Sequence, residues 1–338
     1  MRRTWRRSEL AVHTLILVLL AIFLIPVTSL ESAASPGTAP FSQPQGIAVS
    51  NSHVWVANNS LLSVTEIDAS SGSFVRSVNV DEDTDAVATA GPYVWVANGG
   101  GGITEFRASD GALIRYVGKK ADGFYGTRAI DIAVSRVWVM NLYGDSVTEL
   151  NASNGSLVRV IKPGLEGFSR PEGIAVAGAN LWVTNINSDV VSELNISNGA
   201  IVRDVNAKTD QFNEPDGIAI SGSRVWVTNS FSETITELNA SNGSLVRVIK
   251  AKADQFNRPG PIAVGGGRVW VVNGNGNSIT ELNASSGSLV RVINAKADQF
   301  RDPDGIALNK SRAWIVNYLG DSVTELNSSN GSLVRVIK

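Results

Sequence analysis

Seven tryptophans, Trp55, Trp95, Trp138, Trp182, Trp226, Trp270 and Trp314, divide the chain at successive spacings of 40, 43, 44, 44, 44 and 44 residues. A fixed period in the forties marks stacked structural units, each unable to bury its apolar faces alone. The later units are nearly copies: residues 239–256 and 283–300 differ only at Asn242 against Ser286 and Lys250 against Asn294. The whole of 41–338 is therefore read as one repeat domain rather than the two domains that 338 residues would allow.

Each unit holds four short apolar runs, seen from Gly217 onward as GIAI, RVWVTN, TITELN and SLVRVIK, separated by Gly, Ser and Asn. Four runs of about five residues with turn signals between them predict one antiparallel four-stranded sheet. In the second run Trp226 faces one way and Val225 and Val227 the other, so both faces are apolar. Such a strand is covered on both sides, as in sheets stacked face to face. Between the third and fourth runs, Asn242-Gly243 favours the positive backbone dihedrals of a tight hairpin. Seven such units predict an all-β, seven-bladed β-propeller of four-stranded antiparallel blades, closed without a shared strand because unit one starts on its innermost strand.

The pattern FxxPxGIAV, then VWVTN, then SVTELN, carried in the fifth unit by Phe212, Pro215, Gly217, Trp226 and Asn229, resembles the NHL and YVTN propeller repeats over essentially all of residues 41–338. A more distant resemblance is to virginiamycin B lyase-type propellers. The resemblance implies the fold, and it implies a range of roles from scaffold and ligand-binding module to enzyme.

Ahead of the repeats, a basic start (Arg2, Arg3, Arg6, Arg7) precedes an apolar stretch over 10–27 and small residues around Ser32 and Ala34. That layout predicts a signal peptide over 1–34, with a retained membrane anchor as the alternative, then a linker over 35–40. Either reading sends the propeller out of the cytoplasm, secreted or held at the membrane through this segment alone. A formal net charge of −2 excludes a strong field for nucleic acid. With no Cys in the chain, disulfides, thiolate metal sites and a cysteine nucleophile are excluded as well. A monomer is expected.

Propeller connections put the loop into each innermost strand and the loop out of each second strand on one face. The incoming loops end in Gln45, Asp85, Glu172, Asp216, Gly260 and Asp304, and in the shortened third unit Ile130 or Asp131 is assigned that place. The outgoing positions are Asn58, Asn98, Asn141, Asn185, Asn229, Asn273 and Asn317. Asn ends strands well for purely structural reasons. Carboxylates converging on one axis repel unless a cation or a hydrogen-bonding ligand sits between them. Asp85, Glu172, Asp216 and Asp304, with Asn185, Asn229 and Asn317, form the expected ligand site. A divalent cation, calcium above all, is the cofactor that oxygen ligands would take there. The outgoing loops vary most and carry Tyr143, Phe231 and Tyr318, a candidate surface for a protein or carbohydrate partner at the cell surface.

Every unit also carries a Glu in its third run and an Arg in its fourth, such as Glu237 and Arg247, which predicts cross-strand ion pairs rather than catalysis. An enzyme of lyase or lactonase type using carboxylates and a divalent cation remains the alternative to a binding or scaffold role. Beyond the N-terminal segment the only His is His53, assigned to the face opposite the acids. No Ser-His-Asp set can be assembled.

Overall fold

The computed structural model describes residues 40–338 except 51, 81, 119–122, 163–166, 207–211, 251–255 and 295–298. The predicted signal or anchor over 1–34, and all of the linker but Pro40, lie outside the described residues. Among the described residues no helix is long and apolar enough to cross a membrane.

The structure is the seven-bladed propeller that the repeat predicts. Each blade is an antiparallel sheet in chain order: β1–β4 (44–79), β5–β8 (84–117), β9–β12 (127–161), β13–β16 (171–206), β17–β20 (215–250), β21–β24 (259–294) and β25–β28 (303–337). The innermost strand of each blade touches that of the next, and β1 touches β25, so the ring closes. Among the described residues no strand is shared between blades.

Seven apolar clusters fill the seven gaps between blades, and their composition follows from the period-two alternation of the second strand. Trp226 packs toward the following blade with Val269 and Val271, whose own Trp270 packs onward against Ala313 and Ile315. At the closing gap Trp314 and Val316 meet Val54, Val56 and Phe41. All seven Trp are fully buried, and truncating one to Ala would cost about 3–5 kcal/mol.

The repeated Glu–Arg pairs form as predicted. Every third-strand Glu is buried, and in the fifth blade the two oxygens of Glu237 meet Arg247 Nε at 2.6 Å and Arg224 Nε at 2.9 Å. Burial pushes the Glu237 carboxyl up, and the two arginines pull it back down. The fourth-strand Arg also straps blades together: Arg247 donates to the carbonyl of Ser285 at 3.1 Å, and Arg335 donates across the closure to that of Ser70 at 3.0 Å.

The hairpin at Asn242-Gly243 forms, but without the positive dihedrals expected at both residues. Only Gly243 has positive φ, and a five-residue loop is closed by Asn239 N to Ser244 O at 2.9 Å and Gly243 N to Asn239 O at 2.8 Å. Asn239 Oδ1 accepts from both the amide and the hydroxyl of Ser241, and this local cap is what selects the longer loop.

Candidate functional site: the channel mouth

The incoming loops and the turns after the second strands do share one face, because they hydrogen-bond to each other in every blade, for example Ser230 N to Glu214 O and Tyr318 N to Asp302 O. The innermost strands begin with a bulge. In the fifth blade Pro215 pairs with Asn229 and Ile218 with Val227, leaving Asp216 and Gly217 between them. A bulge re-aims the extra side chain, and here it turns one residue per blade toward the axis. The resulting ring is Gln45, Asp85, Arg128, Glu172, Asp216, Gly260 and Asp304, all lining one cavity of about 730 Å³. Glycine follows several of these residues because the strands crowd: a Cβ at Gly217 would lie 2.4 Å from the carbonyl oxygen of Gly260.

Arg128 corrects the assignment made for the third unit. Thr127 pairs with Asn141 as Pro171 does with Asn185, so the ring position is Arg128, two to three residues before Ile130 and Asp131. The Pro-x-Gly signal of units one, four, five and seven is missing from the third unit, where the ten-residue spacing to the Trp, 128 to 138 as 216 to 226, is what marks the position. Asp131 instead lies opposite Trp138 and accepts from the amides of Ile132 and Val176, each at 2.7 Å.

The four predicted acids are brought together, but they are not equivalent. Arg128 Nε donates to Glu172 at 2.8 Å, and its guanidinium stands 4.0 Å from Asp85. Asp85 also accepts from Asn59 Nδ2 at 3.1 Å, and Asn59 reaches Gln45 at 3.3 Å. One arc of the ring, from Gln45 to Glu172, is thus polar and internally paired. On the other arc no hydrogen bond or ion pair involves the carboxylates of Asp216 and Asp304 among the described residues. Burial pushes Asp216 up to about 7, with Glu172 and Asp304 adding to the rise and Arg128 and Arg258 opposing it. Asp304 is pushed to about 6, again mainly by burial, with Arg128 opposing and Asp302 adding. Burial opposes the charge on Arg128, but Glu172, Asp304 and Asp85 together hold it firmly protonated.

The asparagines do not reach this space. Asn185, Asn229 and Asn317 are fully buried and donate to Ser192 Oγ, Thr236 Oγ1 and Thr324 Oγ1 at 3.0–3.1 Å, tying the second strand to the third. Of the three aromatic residues, Tyr318 lines the cavity. Tyr143 and Phe231 stand exposed outside it, 64% and 71% accessible. Tyr143 packs against Tyr125, a neighbour that the sequence reading passed over, with ring centroids 5.6 Å apart. His53 pairs with Glu66 at 2.8 Å, far along the strand from the mouth.

A calcium shell needs about six to eight oxygens at 2.3–2.6 Å. The ring spreads its acids over separate blades and already holds a guanidinium, and among the described residues no three His, Asp or Glu gather as a ligand set. The residues as placed do not form such a site.

No family model matches the chain, and no curated protein matches it. Solved structures do. A catalytically inactive histidine-to-alanine variant of virginiamycin B lyase from Staphylococcus aureus, solved with quinupristin, is 18% identical with a TM-score of 0.72, over 83% of this chain and 94% of that one. Hydrazine synthase from Kuenenia stuttgartiensis is 16% identical at 0.72, over 88% and 99%. A functionally unknown protein from Desulfotomaculum acetoxidans is 15% identical at 0.69, over 85% and 95%. At these identities the likeness shows the propeller fold and nothing finer.

Proposed function

We propose that this chain is an extracytoplasmic binding propeller that captures a polar group of a cell-surface protein or carbohydrate in the mouth of its channel. The observation that carries this reading is the cavity of about 730 Å³ into which all seven blades aim one residue, with Asp216 and Asp304 left unpaired inside it. Concave sites with a few convergent polar groups are where rigid folds bind ligands. The basic and apolar N-terminal pattern supports export. The test is hydrogen exchange on the intact protein against arrays of surface glycans and peptides. Protection at the starts of β13, β17 and β25, lost in a variant with Glu172, Asp216 and Asp304 all changed to Ala, is the expected result. Protection confined to the loops of Tyr143 and Phe231, with the triple variant binding normally, would move the site to those loops.

The enzyme reading has one observation in its favour: a carboxyl near 7, that of Asp216, suits proton transfer at neutral pH. Against it, the mouth offers no histidine among the described residues.

A further inference from the structure

The ring contains its own template for a ligand. In the third blade a guanidinium, that of Arg128, stands between the carboxylates of the two neighbouring blades, Asp85 and Glu172. Three blades further round, in the sixth, the neighbouring blades again offer two carboxylates, Asp216 and Asp304, but the position between them is Gly260. The side chain is missing there, and the space is real: a Cβ built on Gly260 would meet nothing nearer than Asp216 Oδ2 at 3.5 Å. The turn above it is equally bare, since a Cβ on Gly274 would meet nothing nearer than Asp302 Oδ1 at 3.7 Å.

We infer that the mouth binds a guanidinium or primary ammonium group, which enters the slot over Gly260 and lies between Asp216 and Asp304 as Arg128 lies between Asp85 and Glu172. This rests on the mouth being the binding site, as proposed above, and names the ligand chemistry. A terminal cation on an extended stem, such as an arginine or lysine side chain of a partner or a free polyamine, fits; the shared chemistry is the cationic nitrogen group.

Two features of the structure favour a cation here, and a third sets its pH dependence. First, Arg128 offsets one of the two charges of Asp85 and Glu172, whereas on the opposite arc, where Arg258 also lines the cavity, neither Asp216 nor Asp304 has a cation within ion-pair distance among the described residues. Second, charge-assisted hydrogen bonds to paired carboxylates are stronger than neutral ones and hold a planar guanidinium in a fixed orientation. Third, burial keeps Asp216 and Asp304 partly protonated near neutrality, against the attraction of Arg128 and Arg258 and with Glu172 and Asp302 adding repulsion. An arriving cation therefore drives them to the ionised form and releases protons, so binding strengthens as pH rises from 5 to 8.

The experiment is calorimetric titration of the intact protein with agmatine, with calcium and with sorbitol, at pH 5 and pH 8. Saturable agmatine binding that is tighter at pH 8 is expected, together with a loss of at least about tenfold in a D216N/D304N variant, the usual scale for removing charged partners from a charge-assisted pair. A Gly260→Arg variant should supply the cation internally, so it should melt higher than the wild type and no longer bind agmatine. Calcium or sorbitol binding at the mouth without agmatine binding would overturn the inference while leaving the mouth as the binding site. Binding of none of the three would overturn the inference, and a glycan or peptide footprint elsewhere would then remove the mouth reading as well. Agmatine binding that survives in both variants would place the cation away from Gly260 and would also overturn it.

Discussion

The carboxylate of Asp321 accepts a hydrogen bond at 2.8 Å from the amide of Gln43, a residue 278 positions earlier in the chain. The same bond recurs between neighbouring blades, from Asp145 to the amide of Arg170, Asp189 to Glu214 and Asn277 to Asp302. Each acceptor sits at positive φ, a conformation that Asp and Asn tolerate better than most residues. At those other gaps the chain itself also joins the two blades. At the closing gap, among the described residues, packing, this bond and the Arg335 strap do so.

The Asp321→Ala variant should therefore lower stability by more than Asp189→Ala, by about 1 kcal/mol beyond the shared loss of one hydrogen bond. Chemical unfolding of the two variants measures this. Amide exchange in β1 and β28 should quicken in the first variant and not in the second. Equal losses would mean that closure does not depend on the clasp.

Asp216 gives a pH-dependent prediction. Its folded-state pKa of about 7 lies above the ordinary value of 3.8, so between those values the folded protein holds a proton that the unfolded chain has released. Stability attributable to this group accordingly falls as pH rises through that window and levels off above it. Asp216→Asn should stabilise the protein at pH 8 by about 1–2 kcal/mol, allowing for solvent in the open cavity, and should be neutral near pH 4. Melting curves across that range decide it.

The buried glutamates differ in how many cations they hold. Glu105 is paired with Arg115 at 2.8 Å, and where the third, fifth, sixth and seventh blades place a second Arg its blade has Tyr93. Glu237 keeps Arg224 at 2.9 Å if Arg247 is removed. Removing the last partner of a buried charge costs about 3–5 kcal/mol. Arg115→Met should approach that figure, and Arg247→Met should cost roughly half as much. Denaturant midpoints of the two variants test the order.

Backbone crowding at the axis makes Gly217→Ala costly although its φ is ordinary. The added methyl would stand 2.4 Å from the Gly260 carbonyl oxygen, so two blades must separate to admit it. A loss of about 1–3 kcal/mol is expected. Gly222→Ala, by contrast, meets no atom within 4 Å and is costly only through its φ of 57°. Its smaller loss in the same unfolding series is the control.

The blade, the number of blades and the faces of each strand were legible in the chain. Those depend on local periodicity: Trp226 between Val225 and Val227 dictates which side packs on which neighbour, and the four runs per unit dictate a four-stranded sheet. The chain also placed Glu172, Asp216 and Asp304 at one mouth, because the Pro-x-Gly signal marks the start of their strands, and Asp85 at the equivalent place of the repeat, ten residues before its Trp. What those positions do is set by contacts between blades. The partners of a ring residue come from other blades, as Glu172 is met by Arg128 from 44 residues earlier. The misassigned third unit hid that Arg. Asn229 looked equally suited to a ligand until its amide was seen to be committed to Thr236. Strand periodicity is a short-range property of the chain, whereas pairing around the axis depends on which side chains the closed ring brings within reach of one another, and that is set by all seven blades together.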